Sequence, residues 1–188
     1  MEYLVLPFVE IEIRFGTLGN KFDSCIDKKY FDHIHSALCS STWVCVTESK
    51  TKETINKNIK MIEGSGIIMK ENVFTKTLQL DNSPFDIRVS VNQEINLNFY
   101  TFTEHTLVRE KHRKTFLSDN FKYDLTIVKE TINNVTKEKY ELELELLVNE
   151  NTMNWNSEYI NDFIECKVYD IMNIVEPMER KQFKLKLF

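Results

Sequence analysis

Three segments of this chain carry charged residues at every second position. They are Glu10-Ile-Glu12-Ile-Arg14, Arg109-Glu-Lys111-His-Arg113 and Glu141-Leu-Glu143-Leu-Glu145. Because successive side chains of a β-strand point to opposite faces, each charged set shares one face of its strand. Like charges on one face lie about 6.6–7 Å apart and repel one another unless a partner holds them. Two acidic strands and one basic strand therefore indicate a divalent cation and a polyanion.

Length and composition are those of one globular domain, which we place at residues 1–188. The chain has 188 residues, of which 42% are hydrophobic and 12% aromatic, and it has only four glycines. A chain of this size buries a substantial core. Its net charge of −5 predicts no general affinity for nucleic acid. Any basic surface must be local, and it is concentrated at residues 109–114.

The cysteines and the N-terminus indicate an intracellular protein that is not secreted. The four cysteines show no CxxC spacing, which favours free thiols over a disulfide scaffold. No apolar run reaches 18 residues, so we expect no membrane span. The N-terminus lacks the basic start and the small-residue cleavage site of a signal peptide.

Alternation and turn residues predict a mainly β (α+β) fold. Helices are expected from Ser24 to about Leu38 and from Asn156 or Ser157 to about Ile174. Consecutive strands with two flanking helices suggest a closed antiparallel eight-stranded β-barrel whose charged faces line a tunnel. The predicted strands are 4–15, 43–46, 58–63, 66–71, 73–80, 85–94, 105–117, 123–131, 138–148 and 183–188, with 50–57 as a connection or ragged strand.

The acidic faces are candidate ligands for a hard cation. Mg²⁺ and Mn²⁺ prefer carboxylate and water oxygens, and two adjacent Glu-x-Glu strands supply several carboxylates. A single Glu-x-Glu is ordinarily a solvent-facing strand, but glutamate is depleted in strands and two such sets are uncommon. The candidates are Glu10, Glu12, Glu141, Glu143 and Glu145.

The basic face is a candidate polyphosphate site. Arg109, Lys111 and Arg113 form a ladder about 13 Å long if they lie on one strand face, a length that suits a row of phosphates. An edge strand protected by charge is the alternative. Two further alternating polar faces are Lys122-Tyr-Asp124-Leu-Thr126 and Arg88-Val-Ser90-Val-Asn92-Gln-Glu94.

Several common catalytic motifs do not occur. The chain contains no GxxxxGK[ST] or GxGxxG phosphate loop, no HExxH and no nucleophile elbow. These absences disfavour a Walker-type ATPase, a zincin and a serine hydrolase.

In the number and order of these strands, the chain resembles the metal-dependent RNA 5′-triphosphatases of fungal and viral mRNA capping, within the triphosphate tunnel metalloenzyme superfamily. The segments that carry the resemblance are residues 9–18, 22–26, 85–94, 109–113, 122–126 and 140–145. The resemblance covers nearly the whole chain.

The resemblance implies a role for each matched residue. Glu10, Glu12 and Glu145 would ligate Mg²⁺ or Mn²⁺, and Glu143 would help to hold metal-bound water. Glu94 would orient or activate the attacking water, and Glu141 would brace the basic residues. The triphosphate would be held by Arg109, Lys111 and Arg113, supported by Asp124, Thr126, Arg88 and Ser90, with Arg14, Lys122, Lys60 and Lys70 as further basic positions of the tunnel.

The expected function is therefore removal of the γ-phosphate from 5′-triphosphate RNA, the first step of mRNA capping, with hydrolysis of free NTPs beside it. An RNA guanylyltransferase, separate or fused, would act with it, and a homodimer is possible. A cellular enzyme would work in the nucleus, and a viral one in the host cytoplasm. Two alternatives are a tunnel triphosphatase for thiamine triphosphate, tripolyphosphate or ATP, and a non-catalytic polyanion-binding subunit of a capping complex.

Overall fold

The computed structural model describes residues 9–40, 44–80, 83–102 and 107–177, with the backbone alone at 44–46. It contains nine strands and two α-helices in these ranges. The strands are β1 (Val9–Leu18), β2 (Phe22–Asp23), β3 (Val44–Asn56), β4 (Ile59–Ile62), β5 (Gly66–Leu78), β6 (Asp86–Leu97), β7 (Leu107–Ser118), β8 (Phe121–Ile132) and β9 (Val135–Leu146). The helices are α1 (Lys28–Ser40) and α2 (Ser157–Val175).

Eight antiparallel strands close into a barrel, in the order β1-β6-β5-β4-β3-β7-β8-β9, and β9 pairs with β1 to complete the ring. The two-residue strand β2 pairs with the end of β1 and lies outside this ring. At the closing seam Glu12 lies opposite Glu145 and Arg14 lies opposite Glu143. The predicted closed eight-stranded barrel with flanking helices is confirmed.

Two strand predictions were wrong in detail. Residues 44–56 form one strand rather than a short strand followed by a separate connection or ragged strand. Residues 66–78 likewise form one strand, with a register shift between Asn72 and Phe74 where two predicted strands meet. A β-bulge keeps the pairing while it breaks the alternation, and alternation was the basis of the prediction. Predicted strand residues 4–8, 43 and 183–188 lie outside the described residues.

The hydrophobic core lies between the outer face of the barrel and the two helices. Ile11, Ile13 and Phe15 of β1 are fully buried there, and the charged residues of the same strand point the other way. Core positions recur along both helices with helical spacing. They are Phe31, Ile34 and Leu38 of α1 and Ile160, Ile164, Val168, Ile171 and Met172 of α2.

The helix starts follow side-chain capping. Asn156 accepts a hydrogen bond from the Tyr159 amide at 2.8 Å, which confirms the predicted start of α2. The start of α1 is at Lys28 rather than next to Ser24, because the Asp27 carboxylate accepts from the Lys29 amide at 2.8 Å. Neither helix in the described residues has the length and hydropathy of a membrane span.

Candidate active site in the barrel lumen

The charged strand faces converge on the inside of the barrel. A cavity of about 190 Å³ lies there and is lined almost entirely by charged and hydroxyl side chains. The placement follows from the pleat, since burying one apolar face against the helices turns the alternate residues inward. The cavity is lined by Glu10, Glu12, Arg14, Ser49, Thr51, Glu53, Lys60, Ile62, Lys70, Lys111, Arg113 and Glu143.

The carboxylates of β1 are held by a lysine from β5. The Lys70 ammonium lies 3.0 Å from a Glu12 oxygen and also forms an ion pair with Glu10. Burial opposes this charge, yet Glu12 and Glu10 together raise the pKa of Lys70 above its usual value. In the absence of a metal ion, Lys70 thus compensates the acidic face of β1.

Glu145 of β9 lies against Glu10, whose charge disfavours ionisation of Glu145. Burial and the charge of Glu10 raise the pKa of Glu145 to about 7, although Lys122 pairs with Glu145 at 2.8 Å and opposes the shift. A cation bound beside Glu145 would favour its ionised form.

These residues fit a hard divalent cation. As the side chains stand, no three His, Cys, Asp or Glu groups of the described residues are gathered into a metal cluster. The donor set is nevertheless all carboxylate, with Glu12 and Glu145 on paired strands. A divalent cation bound between Glu10 and Glu145 would relieve the repulsion between these two carboxyl groups.

Glu143 lies between two guanidinium groups. Arg14 approaches one of its oxygens at 3.0 Å, and Arg113 approaches the other at 3.1 Å. Burial alone would raise the pKa of Glu143, but these two arginines hold it well below its usual range. Glu143 therefore stays ionised and fixes two cations of the tunnel.

Arg113 is the most firmly oriented member of the basic ladder. Its guanidinium pairs with Asp124 at 2.9 Å and with Glu143 at 3.1 Å, and its Nε donates to the Thr126 hydroxyl at 3.2 Å. Asp124 is fixed in turn by the Thr115 hydroxyl at 2.5 Å. Asp124 and Thr126 of β8 thus both contact Arg113, the last residue of the ladder.

The other two members of the ladder are also paired. Arg109 contacts Glu141 at 2.5 Å, in agreement with the bracing role expected of this glutamate. Lys111 pairs with Glu53 at 2.9 Å, and burial nevertheless lowers the pKa of the Lys111 ammonium.

Strand β6 completes the lumen. Ser90 faces Glu12 across the β1–β6 pair, and Arg88 faces Arg14. The carboxylate of Glu94 is held by Lys60 at 2.9 Å. All the predicted site residues thus belong to the inward set of their strands. Lys60 and Lys70 contact predicted acidic residues directly.

Glu53 is a tunnel residue that the sequence reasoning missed. It is buried, lines the cavity and forms the ion pair with Lys111. The sequence predicts only a connection or ragged strand at 50–57, so this residue is not among the predicted tunnel residues. The alternation Thr51-Lys-Glu53-Thr-Ile55 was the available signal, but the lysines at 50 and 52 gave the segment the composition of a surface loop. Asn92 was noted as part of an alternating face, and its amide contacts Glu12 at 3.5 Å.

Comparison with known proteins agrees with this architecture. Residues 19–181 match the protein family described as mRNA capping enzyme, beta chain, the mRNA triphosphatases. A comparison with curated protein sequences found no significant match.

Solved structures share the fold. The Pct1 RNA triphosphatase of S. pombe is 19% identical, with a TM-score of 0.68 over 91% of this chain and 88% of that one. The same protein in complex with the Spt5 CTD gives 18% identity and a TM-score of 0.68, covering 91% and 89%. The triphosphatase of the Mimivirus capping enzyme is 14% identical, with a TM-score of 0.61 over 93% and 92%.

The family match extends over far more than half of the chain, and the barrel is the one that these triphosphatase structures share. This chain therefore belongs to the mRNA capping enzyme β-chain family of RNA 5′-triphosphatases.

Proposed function

We propose that this triphosphatase cleaves the γ-phosphate from 5′-triphosphate RNA with a divalent cation, Mg²⁺ or Mn²⁺, bound in the lumen. The observation that carries the proposal is that two acidic strands and a basic ladder face one cavity. A triphosphate needs cations along its length, and a bound metal ion needs carboxylates beside the reacting phosphate.

Glu10, Glu12 and Glu145 would hold the cation, with Glu143 beside them. When bound, the cation would neutralise charge on the transferring phosphoryl group. The Lys70 ammonium, now paired with Glu10 and Glu12, would then be available to the substrate.

The basic residues would bind and orient the triphosphate. Phosphoryl transfer passes through a loose transition state, so positioning and charge neutralisation contribute most of the catalysis. Arg113 is suited to this because three contacts fix its planar guanidinium. Arg109 and Lys111 would extend the grip along the ladder, and Arg88, Arg14, Lys122 and Lys60 would act from the other strands.

Glu94 would orient the attacking water. Its carboxylate is anchored by Lys60 at 2.9 Å and is partly exposed to the lumen, so an oxygen can accept a proton from water. We further propose that free NTPs are hydrolysed by the same residues, because every tunnel contact described above is suited to phosphate rather than to a base.

The biological setting is also proposed. An RNA guanylyltransferase, separate or fused, would use the diphosphate end that this reaction produces, and the chain would act as a monomer or homodimer in the nucleus if it is cellular. The Pct1 structure with the Spt5 CTD supports the idea that a protein of the transcription or capping machinery binds this chain as well.

The test is phosphate release from γ-labelled triphosphate RNA, ATP and tripolyphosphate, with Mg²⁺, with Mn²⁺ and with chelator. We expect metal-dependent release from RNA that disappears in Glu12→Ala and Glu145→Ala, while exposed Glu71→Ala on β5 behaves like the wild type. Metal-independent release, or full activity of Glu12→Ala, would contradict the proposal. Release confined to tripolyphosphate would contradict the assigned substrate.

A further inference from the structure

The ring of Phe22 lies against the inward face of β1. After Leu18 the chain turns, and β2 returns so that Phe22 pairs with Leu18. Gly16 has the same strand parity as the inward-facing Arg14. A Cβ atom on Gly16 would lie 2.9 Å from the Phe22 Cζ atom and 2.0 Å from the Asp23 carbonyl oxygen. The absence of a side chain at this position leaves the space that the Phe22 ring occupies.

Phe22 contacts the guanidinium of Arg88, whose carbon lies 4.8 Å from the ring centroid. Cation–π contacts of this kind occur when the cation lies within about 6 Å of the centroid. The contact orders the guanidinium without neutralising its charge.

Arg88 differs in this respect from the other cations of the tunnel. In the described ranges no carboxylate lies within 4.0 Å of Arg88. Its cross-strand neighbour Arg14 is itself positive but is compensated by Glu143 and Glu12. The other tunnel cations each have a carboxylate within that distance: Lys60, Lys70, Arg109, Lys111, Arg113 and Lys122.

The basic side chains of the tunnel therefore differ in how readily they can bind a substrate phosphate. A substrate phosphate must compete with a resident carboxylate at the paired residues. At Arg88 it meets a guanidinium that lacks an anion, and an anion there would also relieve the repulsion from Arg14. Burial and then the charge of Arg14 lower the pKa of Arg88, although the charges of Glu12 and Glu143, both more than 4.0 Å away, oppose the shift.

We infer that Phe22 is a positioning residue that holds Arg88 as the open anion-receiving group of the tunnel. The inference rests on the proposed function and deepens it, because it names the cation that a terminal phosphate reaches without displacing a carboxylate. If the Phe22 ring served only to pack against β1 beside Gly16, it would contribute to folding and not to substrate binding. The two roles differ in whether the effect of Phe22 depends on Arg88.

The test is calorimetric binding of tripolyphosphate by the full chain, which needs no turnover. Phe22→Leu should raise the Kd for tripolyphosphate about 5- to 10-fold. A change of this size corresponds to the loss of one partly desolvated cation–π contact. Phe22→Tyr retains the ring and should bind like the wild type. In an Arg88→Ala background, Phe22→Leu should cause no further loss, because coupled residues are not additive. Phe99→Leu, at a residue that is 80% exposed, is the matched control.

Steady-state kinetics with ATP provide a second readout. Phe22→Leu should raise KM by the same 5- to 10-fold factor with kcat changed less than twofold. Wild-type binding by Phe22→Leu, weak binding by Phe22→Tyr, or equal losses with and without Arg88 would overturn the inference. If Phe22→Leu does not fold, Phe22→Met replaces it with the same expected loss. If the wild type binds tripolyphosphate but releases no phosphate from triphosphate RNA, the proposed function is overturned, and the binding test of Phe22 and Arg88 still decides the inference.

Discussion

Lys70 is the residue at which the metal-free tunnel and a metal-loaded one would differ most. Its ammonium contacts both β1 carboxylates, Glu10 and Glu12, which are also candidate metal ligands. An ammonium and a divalent cation compensate the same negative charge, so they compete for it. Without a bound metal ion, the Lys70 ammonium compensates the charge of Glu10 and Glu12.

Replacement of Lys70 by methionine tests this competition. Without the ammonium, Glu10 loses its ion pair and Glu12 keeps only the one with Arg14, so we expect the metal-free protein to be destabilised by about 3 kcal/mol. Mn²⁺ should then raise Tm more in Lys70→Met than in the wild type, because the cation replaces the missing charge. Thermal unfolding with and without Mn²⁺ measures both effects. Lys52→Met, on an exposed side chain, should change neither, and equal metal-free stability of Lys70→Met and wild type would contradict the prediction.

Helix α2 shows how an element outside the barrel supports the tunnel. It packs its apolar stripe on the outer barrel face and contributes no side chain to the lumen cavity. Its first turn depends on one local contact, the hydrogen bond from the Tyr159 amide to Asn156. A change to this cap should therefore affect stability and spare the chemistry.

Asn156→Ala should lower the free energy of unfolding by about 1 kcal/mol through loss of the cap. For a chain of this size that corresponds to roughly 2–4 °C in Tm. Asn156→Ser keeps a capping oxygen and should stay close to the wild type. Phosphate release should be the same in all three proteins, and a loss of activity in Asn156→Ala at a temperature where it is folded would argue against separate roles for helix and lumen.

Helix α1 carries a pH-dependent contact. The His35 ring faces Lys114 of β7, with the two nitrogens 3.3 Å apart, and Asp32 and Glu48 are the nearby acids. Burial first and then the Lys114 charge lower the pKa of His35 below its usual value. The unfolded chain therefore binds a proton on this residue more readily than the folded one does. The resulting stability is present above the unfolded pKa of about 6.5 and is lost as the pH falls through the folded pKa.

His35→Gln should accordingly lose less stability than the wild type between pH 7 and pH 5. Urea unfolding at these two pH values measures the difference. His33→Gln changes an exposed histidine of the same helix and should retain the wild-type pH dependence. Equal pH dependence in His35→Gln and wild type would contradict the prediction.

The elements that could be predicted from sequence are those whose alternation is unbroken. In β9 leucine and glutamate alternate strictly, so both the strand and the inward direction of Glu143 followed from period two alone. Strand β3 was missed because its outward lysines and inward threonine and glutamate are all polar, which removes the contrast that defines a face. The pairing of individual charges, such as Lys111 with Glu53, depends on barrel register, and no local pattern specifies the register.

The barrel as a whole is closed by a short seam. Strands β1 and β9 pair over four positions, from Ile11 opposite Leu146 to Arg14 opposite Glu143, whereas β8 and β9 pair over twelve. Candidate metal ligands lie on both sides of this seam, Glu10 and Glu12 on one strand and Glu145 on the other. A cation bound to both strands would thus reinforce the weakest long-range junction of the ring.

Amide hydrogen exchange should reveal this coupling. Mn²⁺ is expected to slow exchange at the seam, at residues 11–14 and 143–146, by at least about tenfold, because metal binding stabilises only the closed ring. Amides at residues 135–140, in the β8–β9 hairpin away from the seam, should change much less. Glu145→Gln should remove most of the metal effect. Uniform slowing over the whole chain would indicate general stabilisation and contradict the seam-specific prediction.

The two-sided strands also govern which changes of length the chain tolerates. A single-residue insertion within β9 would turn Leu144 into the lumen and Glu143 or Glu145 into the core. It would therefore impair both folding and catalysis. A compensating deletion would have to fall within the same strand. The turn at Asn133-Asn134, where both residues have positive φ, joins two strand ends and can lengthen without changing that phase. We therefore expect insertions and deletions among homologues of this chain to lie at hairpin turns, and the tunnel strands to differ by substitution alone.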